Sequence, residues 1–107
     1  MYFATFDSDE GDRTDAVRLY RLTILDEIAK TGRLLSEAKR DIPESFDMLI
    51  QLIGLSPRTA AEHMRVYQYL DQIKLAEEWG HQRGLETPTS ARRALSLLRL
   101  WEKMHNN

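Results

Sequence analysis

The chain has 107 residues, 30% of them charged, with five glycines, three prolines and a formal net charge of −2. That length supports one domain with a modest core, and the absence of cysteine excludes a disulfide framework and any thiolate metal site. So slight an acidity is not the balance of a domain that binds nucleic acid through charge alone.

Long helical periodicities with no alternating strand pattern between them predict an all-α fold. The expected organisation is an acidic arm over 1–13 and one helical domain over 14–107, with helices at about 15–40, 44–53, 57–79 and 89–104. No apolar run approaches the roughly 20 residues of a membrane span. The opening Met1-Tyr2-Phe3-Ala4-Thr5-Phe6 lacks the basic lead of a secretory signal, so a cytoplasmic protein is expected. These six apolar residues read as an edge strand, a packed arm or a loose tail. Asp7, Asp9, Glu10, Asp12 and Asp15 follow, and such acid runs are usually solvated. A sharper reading makes them an arm that mimics DNA or meets a basic partner.

Asp12 or Thr14 is placed to cap the first helix. Val17, Tyr20, Ile24, Ile28, Leu35 and Ala38 form one stripe at helical spacing, the expected core face. Leu19, Leu22 and Ala29 form a second stripe that needs the C-terminal helix or a second subunit to cover it. Gly32, inside the helix, costs about 1 kcal/mol against alanine. It marks either a close helix crossing or a break.

Asp41-Ile42-Pro43-Glu44 ends this helix, because the residue before proline is pushed out of the α region. A short helix follows with Phe46, Leu49, Ile50 and Ile53 inward. Gly54 stops it in the left-handed conformation. Leu55 tucks back, Ser56 is an N-cap, and Pro57 takes the first position of the next helix. Two helices joined by so short a glycine-containing turn form a helix-turn-helix, whose second helix can enter the DNA major groove.

The segment Gly54-Leu55-Ser56-Pro57-Arg58-Thr59-Ala60 with His63 resembles the recognition segment of LuxR-type regulators. The run Gly32-Arg33-Leu34-Leu35-Ser36-Glu37-Ala38-Lys39, then Phe46, then Ser56-Pro57-Arg58-Thr59-Ala60 and Met64-Arg65 resembles an uncharacterised family of small phage- and plasmid-borne helix-turn-helix proteins. That resemblance covers residues 28 to 70 and implies DNA binding by fold analogy. The chain departs from both patterns. Glu44-Ser45 stands where family members often carry His-Gly. Ile50 stands where a small residue usually precedes the turn glycine by four, and its bulk is expected to hold the two helices apart.

In the helix from Pro57, the residues Ala60, Met64, Tyr67 and His63 are expected inward. Arg58, Ala61, Glu62, Arg65, Gln68 and Gln72 fall opposite, the mix that a base-reading face needs: arginine pairs with guanine edges and glutamine with adenine. Glu62 fits a cytosine contact, or an ion pair with Arg58 or Arg65. Ser56 and Thr59 sit where hydroxyls and free backbone N–H groups meet phosphates. The bland reading is a solvated face held by intrahelical ion pairs. Beyond it, Val66, Tyr69, Leu70, Ile73, Leu75 and Ala76 surround the helix with apolar surface. A homodimer through residues 66–76 and the N-terminal helix is therefore expected, as in many helix-turn-helix proteins.

Gly80 to Glu86 reads as a loop, and Thr87-Pro88-Thr89-Ser90 opens the last helix. That helix is expected to bury Ala91, Ala94, Leu95, Leu98, Trp101 and Met104. Arg92, Ser96, Arg99 and Lys103 line another face, to grip phosphates or to neutralise the acidic first helix.

No enzyme is expected. His63, His81 and His105 lack metal-ligand spacing, and there is no phosphate loop, nucleophile elbow or Glu–His metal pair. No cofactor is implied. Residues 1–53 carry 11 acids and 7 bases, and residues 54–107 carry 6 acids and 8 bases, so the bases favour the half with the reading helix. Two functions fit. One is a dimeric, sequence-specific double-stranded DNA-binding protein of a mobile element, acting in transcription control or partition. The other is a protein-interaction module, an inhibitor or adaptor of a host protein, that keeps a helix-turn-helix scaffold.

Overall fold

The computed structural model describes residues 2–106, with side chains described from 15 to 106. The expected acidic character of an arm over 1–13 rests on side chains outside that range. The fold is all-α: α1 (Tyr2–Asp41), a 3-10 turn (Pro43–Ser45), α2 (Phe46–Leu52), α3 (Pro57–Gln68), α4 (Leu70–His81) and α5 (Ala91–His105). No strand occurs among the described residues.

The first helix is the spine. Its start lies ahead of the expected position, at Tyr2, and it runs unbroken through Gly32. Partners fall along α3 and α4 as numbers rise along α1. Arg18 pairs with Glu77, Asp26 with Lys74, and Gly32 lies against His63. The α3–α4 pair is thus antiparallel to α1. At Gly32 the space a Cβ would need holds the His63 carbonyl. Glycine is there because the two backbones touch, the crossing reading rather than the break.

Two cores lie on either side of this crossing. The first joins Leu25 and Ala29 of α1 to Val66, Ile73 and α5's Ala91, Ala94, Leu95 and Leu98. The second joins Leu35 to Phe46, Ile50 and Ala60, with Ala38, Leu55 and Met64 packed against it. That second core joins α1, α2 and α3, and Ile50 is fully inside it.

Several expected core positions are corrected. The buried stripe of α1 centres on Leu25 and Ala29, while Val17, Leu19 and Tyr20 are exposed. One residue is about 100° of helix, so the stripe drawn through Ile24 instead of Leu25 misses the packed face early in α1, while its Ile28, Leu35 and Ala38 do pack into the two cores. Ile53 is exposed because the chain has already left the helix at φ −88°, ψ 3°. Met104 is exposed because each three-residue step from Leu98 and Trp101 drifts about 60° off the stripe. Tyr67 is exposed one residue before α3 ends.

The long helix expected over 57–79 is two helices, broken at Tyr69 (φ −110°, ψ 24°). Val66 and Ile73 are covered by α1 and α5 of the same chain rather than needing a second subunit. Tyr69 and Leu75 keep exposed apolar surface.

Among the described residues, one charge lies inside. Glu77 is 3% exposed and shares the apolar stripe of Ile73, Ala76 and Gly80. The Arg18 guanidinium donates to both its oxygens, at 3.0 and 2.7 Å, and the Thr87 hydroxyl donates at 2.6 Å. Burial works to raise the Glu77 pKa, but the Arg18 and Thr87 bonds outweigh it, and nearby His81 acts the same way. The carboxyl is held below its usual 4.5. The network ties α1, α4 and the α4–α5 loop together.

Two outcomes follow. Gly32→Ala, which would stabilise an unobstructed helix by about 1 kcal/mol, should instead destabilise by about 2 kcal/mol through overpacking on His63; urea unfolding reads the sign. Because the folded pKa of Glu77 is depressed, its contribution is complete above pH 4.5 and disappears as the pH falls through the folded value. Glu77→Gln should cost about 2–3 kcal/mol at neutral pH and flatten the loss of stability below pH 4.5 in an acid titration of Tm.

Candidate nucleic-acid interface

The turn between α2 and α3 is built by backbone chemistry. Gly54 has φ +80°. Its N–H donates to Gln51 O at 3.1 Å, and the N–H of Leu55 donates to Ile50 O at 2.9 Å. This pair of bonds is the Schellman ending, which satisfies the last carbonyls of α2 and turns the chain. Leu55 then packs on the second core. Ser56 is extended, and its Oγ accepts from the Thr59 N–H at 3.1 Å, with Pro57 at the first helical position.

This cap narrows the expected phosphate site. Pro57 has no N–H, Thr59 N–H is taken by Ser56, and Ala60 N–H donates to Ser56 O at 2.9 Å. Among the described residues, only the Arg58 N–H of the first turn is left without a hydrogen-bond partner. The Ser56 hydroxyl donates to Thr59 Oγ1 at 2.9 Å, so both side chains serve the cap first. Thr59 is half-buried.

The exposed polar stripe of α3 is narrower than the sequence predicted. Arg58, Ala61, Arg65 and Gln68 are all exposed on α3, spaced i, i+3, i+7, i+10, so they share one stripe. Opposite them Ala60 and Val66 are buried. Glu62 is half-buried and makes no ion pair with Arg58 or Arg65 among the described residues. Gln72 leaves the stripe, because the break at Tyr69 moves it to α4. His63 is half-buried, with Nδ1 2.8 Å from Thr59 O.

The charges around α3 are unequal in availability. Arg33 is engaged by Glu37 at 3.2 Å, and Arg40 by Asp41 at 2.9 Å. The Arg40 hydrogen bond holds the Asp41 carboxyl below its usual range. Lys39 lies over the Phe46 ring, 5.8 Å from its centre. Arg58 and Arg65 carry no such partner among the described residues. On α5, Arg92, Ser96, Arg99 and Lys103 are exposed along one stripe. The buried faces of α3 and α5 meet in the first core, but no hydrogen bond or ion pair joins their exposed stripes among the described residues.

Sequence reasoning missed Arg18 and Glu77. The signal was present, since each is a lone charge at helical spacing on an apolar stripe, and the two signs are opposite. Compared with known proteins, the chain matches no family model, no curated protein and no solved structure.

Gly54→Val should destabilise by about 1 kcal/mol or more, because a β-branched residue is forced to positive φ. Nothing lies within 4 Å of a Cβ built there, so the loss would be backbone strain alone. Thermal unfolding beside Gly54→Asn, which tolerates that φ better, separates strain from any packing change.

Proposed function

We propose that this chain is a sequence-specific, non-enzymatic DNA-binding protein that reads the major groove with α3. The observation that carries the reading is the unengaged stripe Arg58–Ala61–Arg65–Gln68, presented by a capped helix directly after a glycine turn. Arg58, beside the one unpartnered first-turn N–H, suits a phosphate. Arg65, two turns on, suits a base edge, with Gln68 next to it. Arg92 and Arg99 would add phosphate contacts. The resemblance to small phage- and plasmid-borne helix-turn-helix proteins supports a role in transcription control or partition of a mobile element, in the cytoplasm.

The protein acts as a homodimer in this reading, placing two α3 helices about one DNA turn apart. Exposed Val17, Leu19 and Tyr20 on α1 and Leu75 on α4 support that assembly. One observation favours the interaction-module reading instead. Met48 and Leu52, one turn apart on α2, are 64% and 78% exposed, an apolar ridge that DNA does not need.

Arg65→Ala should cost about 1–3 kcal/mol on a selected duplex and blur its preference over a scrambled one. Arg58→Ala should weaken both duplexes alike and lower the salt slope by about one. Full affinity in both folded variants would remove α3 as the reading head. Sedimentation at tens of micromolar should return a dimer; a clean monomer would refute that assembly.

A further inference from the structure

An open surface cavity of about 310 Å³ lies between α1, the α4–α5 loop and the start of α5. We propose that it binds a small phosphomonoester, with the phosphate between Arg21 and Arg93 and an apolar body on Leu85 and Leu97. The cavity is near the lower end of the roughly 300–1,000 Å³ range for small-ligand pockets, which suits one ring or short chain with a single anionic group. Two arginines from different helices, Arg21 and Arg93, line it together with Thr89. Guanidinium is the group that matches phosphate in two-pronged geometry.

The two arginines stand differently. Arg93 is exposed and has no ion-pair partner among the described residues. Arg21 is held by Glu86 at 3.3 Å, and Glu86 is 77% exposed. So exposed an ion pair is weak, and an incoming phosphate would displace the Glu86 carboxylate from Arg21. The floor is fixed, because Thr87, buried, is tied to Glu77 and through it to Arg18. Filling the cavity would clamp the α4–α5 loop onto α1, far in sequence from α3. This site is independent of the DNA-binding reading.

The test is calorimetric titration of the whole chain with phenyl phosphate, with inorganic phosphate and with benzyl alcohol as separate arms. Phenyl phosphate should bind more tightly than inorganic phosphate, and benzyl alcohol should not bind measurably. Arg93→Gln should weaken phenyl phosphate about tenfold or more, the loss of one charge-assisted bond. Glu86→Gln, which frees Arg21 without touching the core, should tighten it. Arg93 and Glu86 are exposed, so both variants should keep the parent Tm. No binding, equal binding of both phosphates, or an unchanged Arg93→Gln would each overturn the proposal. So would displacement of phenyl phosphate by a DNA duplex, which would make the cavity part of a nucleic-acid surface instead.

Discussion

The contact between Gly32 and the His63 carbonyl sets the rest of the structure. It brings the backbones of α1 and α3 together where any side chain on α1 would hold them apart. With the crossing fixed, rotation of α3 is fixed too. Ala60 must face Leu35 on one side and Val66 must face Leu25 and Ala29 on the other. Turning α3 back by one residue, about 100°, would bring Thr59 and Arg65 toward the two cores in their place. The stripe that carries Arg58 and Arg65 is therefore outward because the opposite stripe is locked inward.

Both sides of the crossing then follow from chain chemistry. Toward the end of α1, Pro43 and the Gly54 turn fold α2 back so that Phe46 and Ile50 close the second core. Toward its middle, α4 and α5 close the first core. There the buried Glu77 is satisfied by Arg18 and Thr87, and no buried side-chain polar atom is left without a partner among the described residues. A buried carboxylate costs free energy unless paired in this way. The network therefore specifies which face of α4 meets α1 more than it adds net stability.

Much of this was legible in the residues. Gly54, Ser56 and Pro57 announced a helix end, a cap and a helix start, because glycine tolerates positive φ, the serine hydroxyl can accept from the first-turn N–H groups, and proline fixes φ near its helical value. Ile42 before Pro43 did the same. The exposed face of α3 could be read because its polar residues recur at helical spacing. Three things were not legible. The break at Tyr69 has no glycine or proline to mark it; it comes from the tertiary need to turn α4 onto α5. The packed face of the first half of α1 was not legible, because that stretch has apolar residues on two sides and only packing chooses between Ile24 and Leu25. The cover of residues 66–76 was assigned to a second subunit because α5's position on α4 is a long-range fact that periodicity does not carry.

The functional reading turns on how a net-acidic chain could meet DNA. The overall charge of −2 disfavours non-specific attraction, so affinity must come from a few placed cations. Arg58 and Arg65 meet that need because no carboxylate among the described residues engages them. Arg33 and Arg40 do not, since Glu37 and Asp41 already do. The competing surface is the apolar ridge of Met48 and Leu52 on α2, separated from the arginines by the turn. Amide chemical-shift mapping of the whole chain during titration with a random-sequence duplex at low salt distinguishes these surfaces most directly. The account predicts shifts concentrated at Arg58, Ala61, Arg65 and Gln68. Shifts confined to α2, or no shifts at all, would contradict it.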